Sequence, residues 1–359
     1  MLKKHWNETR DRYSAFWGGQ PIDRPPVMFD TVGEYKNPMY NLAGYDYTKY
    51  GENIEKFRTD YRDVWEKRFE CPDDAVPCIS PQYGGAFEAS LFAGDIIWGN
   101  EITRLSPHNP AENVKSLDIL KFDKENPYFK RLLHDMAHLT RYSNGEYGVS
   151  YDGGMSVTTT ISQLLGGTRF MYALYDDSEG VRALAERITD TLIHIQAQID
   201  SLTARPDGGS CHRWLNYWNP GKGFWFSEDD AILMSPEMYR DIFLDLNIRM
   251  CASADFAALH WHDGGLHLIP ELLKIENLKM IQLSPDPHGP SFEKLLEVCK
   301  NIIEHNVKIC FQMNYEQEKI NKIFKSLPAN SCMFCIGYAD SIENAEHILS
   351  EIEAAARKK

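Results

Sequence analysis

The sequence predicts an α/β protein, a (βα)8 TIM-type barrel with long N-terminal loops and helices. Two observations predict it. Four short apolar segments, at 255–261, 278–284, 307–313 and 331–337, alternate with helical segments at 266–275, 291–306, 315–327 and 342–356. Runs such as Phe256-Ala257-Ala258-Leu259 and Val307-Lys308-Ile309-Cys310-Phe311 lack the in–out alternation of a half-exposed strand. Strands of that kind, each followed by a helix, are parallel and covered by helices. The unit repeats at about 25–30 residues, which suits a barrel; an open doubly wound sheet is the alternative.

The bulk numbers fit one such domain spanning 1–359. A chain of 359 residues with 43% hydrophobic content can bury one large core. Its net charge of -14 disfavours nucleic acid and anionic membranes as partners and favours small-molecule chemistry. The apolar runs stay under about ten residues, too short for a membrane span. The start, Met1 to Asn7, has no apolar stretch of the kind a signal peptide needs, so the cytoplasm is the expected compartment. Eight cysteines are too sparse for a disulfide scaffold and are expected as thiols, core residues or metal ligands. Neither the substrate nor the oligomeric state is legible.

Element by element, residues 5–17 can form a helix that ends at Gly18-Gly19, and Arg24-Pro25-Pro26-Val27-Met28-Phe29-Asp30 reads as a Pro-led strand. A second helix fits 52–68. The rest of 1–130 is irregular and rich in Tyr, Pro, Gly and Asn, with loops expected to shape specificity. Regular structure runs over 147–356, beginning with the strand-like Gly148-Val149-Ser150-Tyr151-Asp152. Val181, Leu184, Ile188, Leu192, Ile195 and Ile199 mark an amphipathic helix over 178–204, capped by Ser178 with Asp176-Asp177. Ser235-Pro236 opens another helix, reaching residue 252. No G-x-G-x-x-G follows a strand and no P-loop motif occurs, so nucleotide binding lacks motif support.

In either architecture ligands bind at the C-terminal strand ends. His260 and His262 lie at i and i+2 at the end of their strand, so both point to one side, before the turn Asp263-Gly264-Gly265. Such a pair can present two imidazoles to one metal, or supply one core and one exposed histidine. Cys332 and Cys335 have opposite strand parity, so only one faces inward; Cys335 is nearer the strand end. His260, His262 and Cys335 therefore form a candidate three-ligand metal site, with Cys332 as a further ligand or a core residue. Six aromatics fall within 214–226, more than one strand buries, which nominates Trp214, Tyr217, Trp218 and Trp225 for a substrate pocket or for packing at the rim. Asp152 and Gln312, at strand ends, join them as substrate-binding candidates. Asp229, Asp230 and Tyr151 are candidate acid–base groups; the two aspartates can instead be charges favoured at a helix start.

These residues carry a resemblance. Phe16-Trp17-Gly18-Gly19-Gln20-Pro21-Ile22-Asp23-Arg24-Pro25-Pro26-Val27, Ser162-Gln163-Leu164-Leu165-Gly166-Gly167 with Asp177-Ser178-Glu179-Gly180-Val181, and Asp229-Asp230 through Met234-Ser235-Pro236-Glu237-Met238-Tyr239 resemble successive blocks of the uroporphyrinogen decarboxylase superfamily. His260-Trp261-His262-Asp263-Gly264 falls where zinc-dependent methyltransferase members carry H-x-C-G, and Cys335-Ile336-Gly337 falls near their last ligand. The resemblance covers most of the chain and is closer to that branch than to the decarboxylase. The decarboxylase's R-Q-A-G-R has no counterpart in 29–35, and Pro81 stands where its F-S-D needs Asp.

The resemblance implies a barrel, with Zn2+ on His260, His262 and Cys335, His262 standing where a Cys is usual. It implies methyl transfer between a small methylated substrate or a separate corrinoid protein and a thiol, since this chain has no D-x-H-x-x-G cobalamin signature. Two other readings stay open: a metal-free lyase or decarboxylase acting on a different carboxylate through His260, His262 and Asp229, and a non-catalytic barrel that binds a small ligand.

Overall fold

A strand that is apolar on both faces needs a core on each side, and the strands here have both. The computed structural model describes residues 1–33, 53–81, 83–98, 103–108, 111–118, 120–151 and 153–357, with the backbone of 35–36. Its strands are β1 (Val27–Val32), β2 (Tyr35–Lys36), β3 (Cys78–Ile79), β4 (Asp95–Ile97), β5 (Arg104–Ser106), β6 (Gly148–Val149), β7 (Ser210–His212), β8 (Tyr217–Asn219), β9 (Gly223–Ser227), β10 (Phe256–His262), β11 (Leu278–Ser284), β12 (Lys308–Met313) and β13 (Cys332–Ala339). Its helices are α1 (Trp6–Trp17), α2 (Ile54–Lys67), α3 (Phe87–Ser90), α4 (Pro127–Arg141), α5 (Val157–Leu165), α6 (Gly167–Asp176), α7 (Ser178–Leu202), α8 (Pro236–Tyr239), α9 (Asp245–Cys251), α10 (Ile269–Leu272), α11 (Phe292–Glu304), α12 (Gln317–Ser326) and α13 (Ile342–Arg357). No helix among the described residues is long and apolar enough to cross a membrane.

Six parallel strands form one curled sheet in the order β1-β13-β12-β11-β10-β9, with β2 antiparallel on the edge of β1. The first strand thus pairs with the last, Val27 beside Phe334. This is half of the expected barrel. β3 and β6 pair in parallel on their own, and no continuous ladder joins them to β1 or β9 among the described residues. The reason is local. Where a further strand would accept from β1, the carboxylates of Asp74 and Asp73 accept instead, from the amides of Val27 (2.9 Å) and Phe29 (3.1 Å). Single backbone bonds, Asp74 N to Val27 O and Ser227 N to Gly154 O, both 2.7 Å, span the two gaps.

Several other expectations needed adjustment. The helix expected at 266–275 is a 3-10 turn, Asp263–Leu268, followed by the short α10. Asp177, not Ser178, caps α7, accepting from the amide of Gly180 at 3.1 Å. Ser235 caps α8 as expected, and an intervening π turn (Arg240–Leu244) runs it into α9. The strand β9 and the β7–β8 hairpin were not anticipated.

Strand parity sorts the two cores. Phe29, Leu259, Trp261, Ile281, Phe311 and Cys332 pack outward against the helices. Met28, Trp225, Ala258, Met280, Cys310 and Met333 face inward. α1 closes the N-terminal end of the sheet: the Trp17 ring lies 5.3 Å from that of Phe256, and Lys308 Nζ sits 5.2 Å above the Phe16 ring. The C-terminal strand ends form the opposite, open end.

Candidate metal centre

Two residues beyond each inward-facing apolar side chain comes another inward position. That second row reads Asp30 on β1, Ser227 on β9, His260 on β10, Gln282 on β11, Gln312 on β12 and Cys335 on β13. The floor of the half-barrel is therefore apolar and the row above it polar. The register sets His260 beside Gln282 and Gln312 beside Cys335.

The polar row is wired by hydrogen bonds. Gln312 Oε1 accepts from Gln282 Nε2 at 3.0 Å and from the Ser284 hydroxyl at 3.3 Å. That turns the Gln282 amide oxygen toward His260 Nδ1, with which it makes a short hydrogen bond. His262 Nδ1 donates to Asp286 at 2.8 Å, and the other Asp286 oxygen accepts from the Gly264 amide at 3.1 Å. Both imidazoles thus carry their proton on Nδ1 and present a bare Nε2, the arrangement that outer partners impose on metal-binding histidines.

Gly264 leaves room for this carboxylate. A Cβ there would stand 2.7 Å from the Asp286 oxygen.

The third donor is Asp229. Its carboxylate and the two imidazoles bring ligand atoms within 4.8 Å of one another, with Asp229 Oδ1 4.0 Å from His260 Nε2. Among the described residues this is the cluster that can hold a metal ion. Two imidazoles and a carboxylate are a legal set for zinc with an open fourth position. Burial lowers the pKa of His260, against the pull of Asp229, and keeps the ring neutral as a ligand must be.

Cys335 lies in the same inward row and outside that cluster. Its thiol donates to Asp30 Oδ1 at 3.2 Å. Burial, then the Asp30 charge, pushes the thiol pKa well up, while burial raises the Asp30 carboxyl to about 7. Cys332 faces the helical layer, as its parity requires, and its thiol reaches Pro328 O at 3.5 Å. It has no place in the inward row.

The aromatic candidates divide. Trp214, half-buried, lies 5.6 Å from the His260 ring and 6.3 Å from Trp225, which is itself 6.5 Å from His260. Tyr217 and Trp218 sit at the floor: Tyr217 stacks on His212 at 4.6 Å, and Trp218 meets Trp6 of α1 at 6.1 Å. Asp230 turns away from the histidines toward Ser162 and Thr159 of α5, and burial raises its pKa. Tyr151 is buried and donates to Glu88 at 3.2 Å. Asp152 lies outside the described residues.

Sequence reasoning missed Gln282, Asp286, Asp30 and Glu228. The first and third carry a readable signal, an inward parity two residues beyond Met280 and Met28. Glu228 is fully buried next to Asp229 and accepts from the amides of Val157 (3.2 Å) and Thr158 (2.9 Å) and from the Ser156 hydroxyl (3.1 Å), anchoring the start of α5.

No family model matches the sequence, and no curated protein matches it. The fold is similar to that of a methyltransferase from Methanosarcina mazei, with a TM-score of 0.61 and 11% sequence identity over 96% of this chain and 98% of that one. At that identity the likeness is one of fold.

Proposed function

We propose that this chain is a zinc-dependent methyltransferase that moves a methyl group from a small methylated substrate, or from a separate corrinoid protein, to a thiol acceptor. One observation carries the reading: His260 and His262, each fixed at Nδ1, turn their free nitrogens toward Asp229 at the open end of the sheet. The fold likeness to a methyltransferase supports it, as does the sequence resemblance to the zinc-dependent branch of the uroporphyrinogen decarboxylase superfamily. In this reading Asp229 takes the place that the resemblance gives to Cys335.

Zinc bound to these donors would lower the pKa of an acceptor thiol so that it reacts as a thiolate. The chain's own residues do the rest. Gln282 and Asp286 fix the two rings. Asp229, half-exposed, faces the open end, where substrate enters. The apolar layer of Met28, Met280 and Met333 beneath closes the site to water from below. The same proposal includes closure of the half-barrel through β3 and β6, carried by the Asp74–Val27 and Ser227–Gly154 bonds.

Elemental analysis of the purified chain tests the reading, together with an assay for methyl transfer to a thiol. The expectation is about one zinc per chain, lost with activity in His260→Ala and His262→Ala. A zinc-free protein with chelator-resistant turnover would instead favour a metal-free lyase using the same three residues as acid and base.

A further inference from the structure

The three donors are held unequally. His260 and His262 each have an outer partner, Gln282 and Asp286. The Asp229 carboxylate faces His260 Nε2 at 4.0 Å and makes no hydrogen bond among the described residues. A ligating carboxylate ordinarily has an outer hydrogen bond of its own. Asp229 therefore takes its aim from its backbone, and the segment that carries it has to supply the precision.

That segment is not a strand. β9 ends at Ser227, and Asp229 opens a 3-10 turn, Asp229–Leu233, in which the Ala231 amide donates to Glu228 O at 3.0 Å. A 3-10 turn has poor hydrogen-bond geometry and holds little by itself. Here both ends are tied. At the far end His267 Nε2 donates to Met234 O at 2.9 Å, which fastens the turn to the segment that follows His262. At the near end the tie is Glu228, which is fully buried. Among the described residues no ladder joins β9 to β6, and the Glu228 side chain crosses that seam to the start of α5. One oxygen accepts from the Val157 amide at 3.2 Å. The other accepts from the Thr158 amide at 2.9 Å, from the Ser156 hydroxyl at 3.1 Å and, in a short hydrogen bond, from the Thr158 hydroxyl. Ser156 is already the cap of α5, accepting from the Thr159 amide at 3.0 Å, so Glu228 takes up amides that the ordinary cap leaves over. On the other side of Asp229, Asp230 turns toward Ser162 and Thr159 of the same helix.

From this arrangement we infer that Glu228 and Thr158 are positioning residues for the metal centre: they fix the start of the turn to α5 and so hold the Asp229 carboxylate beside the two imidazoles. This rests on the zinc reading above. Neither residue is a ligand. The sheet sets the first two donors through Gln282 and the register of β10 to β12, and α5, which lies outside the six-stranded sheet, sets the third.

Zinc titration of the full chain against a chromophoric chelator, with the zinc K-edge spectrum of each loaded sample, tests this in Thr158→Val, Thr158→Ser and Glu228→Gln. Thr158→Val keeps the amides and the Glu228 carboxylate and removes one hydroxyl; Thr158→Ser keeps the hydroxyl. The expected result is zinc affinity about tenfold weaker in Thr158→Val and about 10–100-fold weaker in Glu228→Gln, with parent affinity in Thr158→Ser. In the weakened variants the imidazole scattering stays and the oxygen part of the shell declines. Ile352→Ala, which opens a cavity in the core under α13, should melt below the parent and still bind zinc as the parent does, separating positioning from loss of stability. Parent-like affinity in Thr158→Val or in Glu228→Gln overturns the inference, as does equal weakening in Thr158→Ser or in Ile352→Ala. Where Glu228→Gln does not fold, the Thr158 pair decides. If the inference falls while the parent binds one zinc, the metal reading survives; if the parent takes up no zinc, both fall.

Discussion

His260 and His262 depend on side chains that no sequence spacing links to them. Gln282 holds the first ring and is held in turn by Gln312; Asp286 holds the second and is held by the Gly264 amide. Removing one outer partner should cost metal affinity without unfolding the chain. Gln282→Leu is expected to weaken zinc binding about 10–100-fold, measured by competition with a chromophoric chelator. Gly264→Ala should act on the other ring, because the new Cβ displaces Asp286 and frees His262; a loss of similar size is expected, and unchanged zinc affinity would show that Asp286 does not orient that ring. The H-x-H pair was legible from parity alone. Its partners were not, because a strand's sequence does not say which neighbour lies beside it or in what register. Cys335 illustrates the same limit: its inward direction was legible, but its partner Asp30 is 305 positions away in the chain.

At the scale of elements, the strands β10 to β13 and the helices that follow them were the most legible part, since each strand is buried on both faces and reads as an apolar run. β9 was not, because Gly223-Phe224-Trp225-Phe226-Ser227 looks like part of a longer aromatic loop until β10 pairs with it. The aromatics at 214–218 also split between the cluster and the floor because the β7–β8 hairpin turns Tyr217 and Trp218 toward α1, which no periodicity could reveal. The junction of β9 and α5 offers a stability test. Glu228 accepts from two buried amides and from the Ser156 and Thr158 hydroxyls. Glu228→Ala should therefore destabilise the fold by about 3 kcal/mol in urea unfolding, and Glu228→Gln, which keeps one acceptor oxygen, by less.

Across the whole molecule, buried carboxyls make stability depend on pH. Burial raises Glu88 to about 8, and Asp30 and Glu228 to about 7. Each folded-state value lies above the ordinary carboxyl value of 4.5 for Glu or 3.8 for Asp. The unfolded chain therefore binds fewer protons through this window. The stabilisation is complete below the ordinary value and is lost as pH rises through the folded value. Thermal unfolding should accordingly occur at a lower temperature near about pH 9 than near about pH 6, and Glu88→Gln, which cannot ionise, should flatten part of that fall. A Tm that rises over this range would mean these carboxyls are ionised in the fold.

The carboxylates of Asp229 and Asp286 beside the two histidines make the C-terminal strand ends the place where a metal cation would collect. The zinc K-edge absorption spectrum of the zinc-loaded protein, taken without added thiol, tests directly which side chains receive it. The account predicts a shell of nitrogen and oxygen at about 2.0–2.2 Å with imidazole scattering and no sulfur, the same in Cys335→Ser and altered in Asp229→Asn. A sulfur shell at about 2.3 Å that disappears in Cys335→Ser would contradict it and return the third position to Cys335.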